Sequence, residues 1–108
     1  MIFDEFRINI RKLSDYCLNP FHPVGKHKAR VFASCLGIGR QDAEILRKNI
    51  LLKMKDAELV LSDSDEFGIR FTADLVIKIY GRTAMVKTIW INRSGSSVLE
   101  LVTCYIIT

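Results

Sequence analysis

A chain of 108 residues, 49% hydrophobic and 26% charged, has the size and mixture of one folded domain over residues 1–108 and is too apolar for a disordered segment. Its formal net charge of +4 leans toward an anionic partner such as RNA without demanding one, because a balance of this size is common among proteins that never touch nucleic acid. No run approaches the roughly 20 apolar residues of a membrane span, and acidic Asp4 and Glu5 are unlike a signal peptide, so a cytoplasmic protein with no membrane partner is expected.

The first ten residues are ambiguous: Phe3, Phe6, Ile10 and Leu13 fit a helical stripe, whereas Phe6, Ile8 and Ile10 fit a strand. A short helix is predicted from about Arg11 to Leu18, ended by Asn19-Pro20, and Phe21 to Gly25 reads as a turn. From Lys26 a second helix carries Ala29, Phe32, Ala33 and Leu36 at helical spacing and stops at Gly37. A third runs from about Gln41 to Lys55 with Ala43, Leu46, Ile50 and Met54 as its buried stripe.

Then the period changes to two. A strand is predicted over Ala57 to Ser62, a polar turn over Asp63 to Gly68, and a long alternating strand from Ile69 to Tyr80. Gly81-Arg82 reads as a type II′ hairpin loop, followed by a strand from Thr83 to Asn92, a turn over Arg93 to Ser96 and a last strand from Val98 to Ile107. The fold class is therefore α+β: two or three short N-terminal helices packed on one face of a roughly four-stranded antiparallel sheet. The loop at Gly81-Arg82 sets Ile79 against Ala84, Ile77 against Val86, Leu75 against Thr88 and Ala73 against Trp90. Leu99, Leu101, Thr103, Tyr105 and Ile107 join the same face, unless the last loop has odd length, which would invert that strand. Thr88, Trp90, Thr103 and Tyr105 then put polar tips into an aliphatic surface.

Cys17, Cys35 and Cys104 are odd in number and widely spaced, and they sit among apolar residues. Buried free thiols are expected rather than a disulfide framework or a zinc site. Asp63, Asp65 and Glu66 lack the length and spacing of a calcium loop and read as a solvated turn, so no metal is assigned. The glycine patterns of nucleotide-binding loops are missing, and no cofactor is expected.

The densest polar stretch runs from His22 to Arg30 and holds both histidines with Lys26, Lys28 and Arg30. Cations gain nothing from the dipole at a helix start, so their presence there suits an anion held by basic side chains and free backbone N–H groups. A histidine moves protons near neutral pH without a metal, so His22 and His27 are candidates for the acid and base of RNA cleavage, with Lys26, Lys28 and Arg30 on phosphate. The plainer reading makes the stretch solvated surface, with His22 holding the turn, and Thr88, Trp90, Thr103 and Tyr105 ordinary strand and core residues.

The run Leu18-Asn19-Pro20-Phe21-His22-Pro23-Val24-Gly25-Lys26-His27-Lys28-Ala29-Arg30-Val31-Phe32, with Leu36-Gly37, Asp42-Ala43, Thr88 to Ile91 and Leu101 to Tyr105, resembles a bacterial family catalogued as a domain of unknown function. A looser similarity reaches the barnase, EndoU, colicin and RelE group of toxin ribonucleases, many of which end on a strand like Leu-Val-Thr-Ala-Tyr-Pro. Here Leu101 to Tyr105 matches, and Ile106 stands where proline is usual. The resemblance implies a metal-independent toxin-type ribonuclease, with Thr103 joining His22 and His27 as a catalytic candidate. Lys26, Lys28, Arg30, Thr88, Trp90 and Tyr105 would bind substrate. The alternative is a non-catalytic module of a bacterial conflict system that binds nucleic acid or a cognate partner protein, or an immunity-like protein. So short a domain is also compatible with a homodimer.

Overall fold

The computed structural model describes residues 3–108. The helices follow one short strand at the N-terminal end of the described residues. Asn9 caps α1 (Ile10–Lys12), its side chain accepting from Arg11 N–H at 3.0 Å. The chain continues without a break into a π-helical turn, Leu13–Cys17, which buries Leu13 and Cys17. α2 (Lys26–Leu36) buries Ala29, Phe32 and Leu36, and ends at Gly37 in the left-handed region with φ 68°. A 3₁₀ turn, Arg40–Asp42, leads into α3 (Ala43–Met54), whose buried residues are Ala43, Leu46, Ile50 and Met54.

The sheet has five strands in the order β1-β5-β4-β3-β2: β1 (Glu5–Arg7), β2 (Val60–Asp65), β3 (Gly68–Ile79), β4 (Arg82–Asn92) and β5 (Val98–Ile106). β1 runs parallel to β5 through Glu5 to Arg7 alongside Val98 to Glu100, and the other pairings are antiparallel. The sheet is thus mixed and five-stranded, where four antiparallel strands were expected. Phe6 and Ile8 did carry the alternation of a strand, but a three-residue ladder is too short to outweigh the competing helical stripe. α2 packs against β4 and β5 and α3 against β3, so the helices lie on one face. Phe32, Leu36, Leu46 and Ile50 there meet Leu75, Ile77, Val86 and Leu99 in one apolar cluster.

Three local readings of the sheet are corrected. β2 lies at Val60–Asp65, not Ala57 to Ser62, and its turn shrinks to Glu66-Phe67 because Asp65 pairs with Gly68. Arg70 draws the acidic residues into the strand, holding Asp65 at 2.9 Å and Asp63 at 3.6 Å. The hairpin after β3 turns on Tyr80-Gly81 rather than Gly81-Arg82. Both residues have positive φ, 52° and 78°, as a type I′ turn requires. Tyr80 accepts that conformation while its hydroxyl donates to Asp42 at 2.7 Å. The register moves by two residues, so Ala73 faces Thr88 and Phe71 faces Trp90, and the two faces keep their members.

The third correction matters most for the site. Ile89 pairs with Thr103 but Trp90 pairs with Leu101, leaving Val102 as an extra residue on β5. That bulge, not the loop length, inverts the strand halfway along. Leu99 and Leu101 are buried before it and Cys104 and Ile106 after it, while Thr103 and Tyr105 are only half-buried and Ile107 is exposed.

Thr88 and Trp90 are both fully buried. The Trp90 indole N–H donates to the Thr88 hydroxyl at 2.7 Å, and that hydroxyl donates to the Ala73 carbonyl at 2.8 Å. Replacing Thr88 with valine keeps the shape but strands the indole N–H. Chemical denaturation should show a loss of about 1–3 kcal/mol for Thr88→Val, and an unchanged midpoint would count against this bond as a stabilising one.

Candidate functional site

The turn before α2 is built on a close approach. A Cβ on Gly25 would lie 2.1 Å from the Tyr16 carbonyl oxygen, although Gly25 itself has ordinary helical φ and ψ. His22 fastens the same turn: its Nδ1 accepts from the N–H groups of Val24 at 3.0 Å and Gly25 at 2.9 Å, and its carbonyl accepts from Lys26 N–H at 3.0 Å. The His22 ring stands edge-on to Tyr16 with centroids 4.9 Å apart. These bonds place the proton of the neutral ring on Nε2. They also occupy three of the backbone N–H groups that would otherwise face an anion at the helix start.

From this anchored start, α2 sorts its charged residues by helical geometry. Lys26 and Arg30, four apart, fall on one side. They line a cleft of about 410 Å³ together with Arg40 from the 3₁₀ turn, over an apolar floor of Leu18, Ala29, Ala33 and Ile38. Among the described residues no carboxylate lines this cleft. Arg40 is held in place, its Nε donating to the Ser14 carbonyl at 2.8 Å and its Nη2 pairing with Asp15 at 3.0 Å. Asp15 is shared with Arg11 at 3.0 Å, and Arg11, followed by Arg40 and Ser14, keeps its carboxyl below the usual range.

Lys28 turns the other way. Its Nζ donates to the Tyr16 hydroxyl at 2.9 Å and lies 4.8 Å from the centre of that ring. Next to Tyr16 in sequence is buried Cys17, whose sulfur is 3.6 Å from the Thr103 hydroxyl and which also feels the Lys28 charge. His22 and Tyr16 border a second cleft of about 490 Å³ with Asn9, Arg11, Lys12 and Asp15.

The expected site residues therefore divide. Lys26 and Arg30 share the basic cleft, and His22 and Lys28 meet at Tyr16. Thr103 reaches that group only through Cys17. His27 is exposed on the first turn of α2 and lines neither cleft. Thr88 and Trp90 lie in the core with their polar atoms bonded to each other and to Ala73, and Tyr105 stays on the sheet beside Lys87. Arg40 and Tyr16 were not singled out from the sequence, and Cys17 was read there only as a buried free thiol, which it is. Arg40 gave no local signal, because what fixes it is a backbone carbonyl 26 residues away.

Together these features define a two-layer α+β domain with a carboxylate-free basic cleft at one side of its second helix. The chain belongs to the family described as domain of unknown function (DUF6883), whose model matches residues 3–108. No curated protein and no solved structure matches it. No helix among the described residues is long and apolar enough to cross a membrane.

Gly25→Ala should cost about 1–3 kcal/mol, since its methyl group must displace the Tyr16 backbone. His22→Ala should cost about 1 kcal/mol as a lost cap. Urea midpoints measure both, and a Gly25→Ala protein as stable as the parent would show that the turn yields freely.

Proposed function

We propose that this domain binds the phosphates of RNA in the cleft formed by Lys26, Arg30 and Arg40. The observation that carries this reading is the meeting of three cations, from two elements, with no carboxylate among the lining residues and an apolar floor beneath them. Arg40 is already positioned by Ser14 and Asp15, so less side-chain freedom is lost when it meets an anion. A phosphate would sit between the cations while a base or sugar covers Pro20 and Ala33, the exposed apolar residues of the lining. The net charge of +4 adds attraction at longer range.

A second reading, a metal-independent ribonuclease of toxin type, is favoured by the contact of Lys28 with the Tyr16 hydroxyl at the edge of the second cleft. Strand cleavage would need a proton acceptor and a proton donor at that edge. His22 is ill-suited to be both, since its Nδ1 lone pair is engaged by two backbone N–H groups. The Tyr16 hydroxyl is the group that remains at that edge, since His27 lines neither cleft.

Binding of fluorescent single-stranded RNA, measured over a salt series, tests the first reading. The Lys26→Ala, Arg30→Ala double variant should weaken binding and lower the slope of log affinity against log salt by about 1.4, near 0.7 for each phosphate contact removed. An unchanged slope would remove the cleft from the interface. Analysis of the same RNA for fragments tests the second: cleavage that Tyr16→Phe abolishes while binding persists would establish an enzyme, and intact RNA throughout would leave a binding module.

A further inference from the structure

The most exposed large apolar side chain among the described residues is Phe21, at 85%. An uncovered ring in water is unfavourable, and the turn that carries this one is held on both sides. Asn19 Oδ1 accepts from Phe21 N–H at 3.0 Å, while the Asn19 amide group donates to the Asp15 carbonyl at 3.2 Å. Pro20 fixes its own φ just before the ring, and His22, just after it, is fastened to Val24 and Gly25. Phe3 packs edge-on to Phe71, Phe6 to Trp90 and Tyr16 to His22. Among the described residues no ring packs on Phe21 in this way.

Charge distinguishes Phe21 from the other exposed aromatic residues. Phe67, 59% exposed, follows Asp65 and Glu66 in the turn between β2 and β3, and the hydroxyl of exposed Tyr80 donates to Asp42. Carboxylates at both places repel a polyanion. Phe21 instead adjoins Pro20, which lines the cleft of Lys26, Arg30 and Arg40, and consecutive Cα atoms lie only ~3.8 Å apart. A strand with one phosphate in that cleft therefore brings a neighbouring base within reach of the ring. Cations for the backbone and an aromatic face for the base are the combination that holds unpaired nucleotides. A duplex keeps its base faces stacked on one another and has none to offer.

We propose that Phe21 is the base-stacking residue of this domain and that its ligand is single-stranded RNA, an inference that rests on reading the basic cleft as a phosphate site. One unpaired base lies flat on the Phe21 ring while the adjacent phosphate is held by Lys26, Arg30 and Arg40. Every base has such a face, so the site selects strandedness rather than sequence. An anionic membrane fits less well. The large apolar side chains exposed on this turn are Phe21 and Val24 alone, and the three cations converge in a cleft instead of spreading over a plane.

The test measures binding of the whole chain to a fluorescent RNA strand of mixed sequence, alone and annealed to its complement, over a salt series. Phe21→Ala should weaken binding to the single strand about 5- to 150-fold, the effect of losing one base–aromatic stack. The salt slope should stay unchanged, because no phosphate contact is removed. Phe21→Leu should lose as much, Phe21→Trp should keep the affinity, and Phe67→Ala should change nothing. The native tryptophan, Trp90, is buried, so quenching of the added indole emission in Phe21→Trp by the single strand reports the stack directly. If Phe21→Ala binds like the parent while the Lys26→Ala, Arg30→Ala variant still lowers the slope, the stacking proposal falls and the cleft reading stands. If the parent chain binds no RNA, both fall. Equal affinity for the duplex would overturn the proposal, as would a shift of the Phe21→Trp emission by phosphatidylglycerol vesicles but not by RNA.

Discussion

The candidate site depends on the absence of one side chain. Because Gly25 carries no Cβ, the start of α2 can rest on the Tyr16 carbonyl, where any other residue would put a carbon 2.1 Å from that oxygen. The contact fixes the turn from Asn19 to Gly25 and the direction in which α2 leaves it. His22 then closes the turn by accepting two backbone N–H groups. With the helix axis set, its periodicity decides where each basic residue points: Lys26 and Arg30 toward the 3₁₀ turn, Lys28 back onto Tyr16. A glycine chosen for space rather than for φ thus distributes the charges of the most basic segment.

How much of this was legible follows from how local each cause is. α2, α3, β3 and β4 are long enough for their periods to speak, and their buried residues, such as Leu46, Ile50, Leu75 and Ile77, fall where the patterns put them. The turn after β3 was placed one residue late because Tyr80 adopts a positive φ that sequence reading reserves for glycine, asparagine or aspartate. The bulge at Val102 has no signature of its own in a strand of alternating apolar residues, and it alone takes Thr103 and Tyr105 off the core face. The cluster at residues 22 to 30 was visible as composition. Its division into a cleft-lining pair, a Tyr16 partner and a free histidine needed the helix axis, which depends on Gly25.

Two polar groups of the core show opposite solutions to burial. Around Thr88 every donor and acceptor finds a partner, and the network closes on a main-chain carbonyl with no exchangeable charge. Cys17 instead meets the Thr103 hydroxyl, 3.6 Å from its sulfur, as a weak contact at the edge of the apolar cluster. The first arrangement holds β3 and β4 in register and has no chemistry left over. The second leaves a small, weakly polar thiol packed among its aliphatic neighbours.

The placement of charge on the surface sets α2 apart from the sheet and from the other helices, where Arg11 and Arg40 pair with Asp15 and Arg47 with Glu44. On the strands, Lys87 pairs with Asp74 at 2.8 Å, Arg70 with Asp65, and Arg93 with Glu100 at 3.5 Å. Exposed pairs of this kind add little to stability, but they neutralise the field of the sheet locally. α2 differs: its eleven residues include Lys26, Lys28 and Arg30 and no acidic residue. Repulsion among neighbouring cations at a helix start, where the dipole also opposes them, is unfavourable in the free protein. An anion in the cleft between Lys26, Arg30 and Arg40 would relieve that repulsion. Part of the binding energy would then come from strain the unbound helix already holds, which argues for reading these residues as a site rather than as solvated surface.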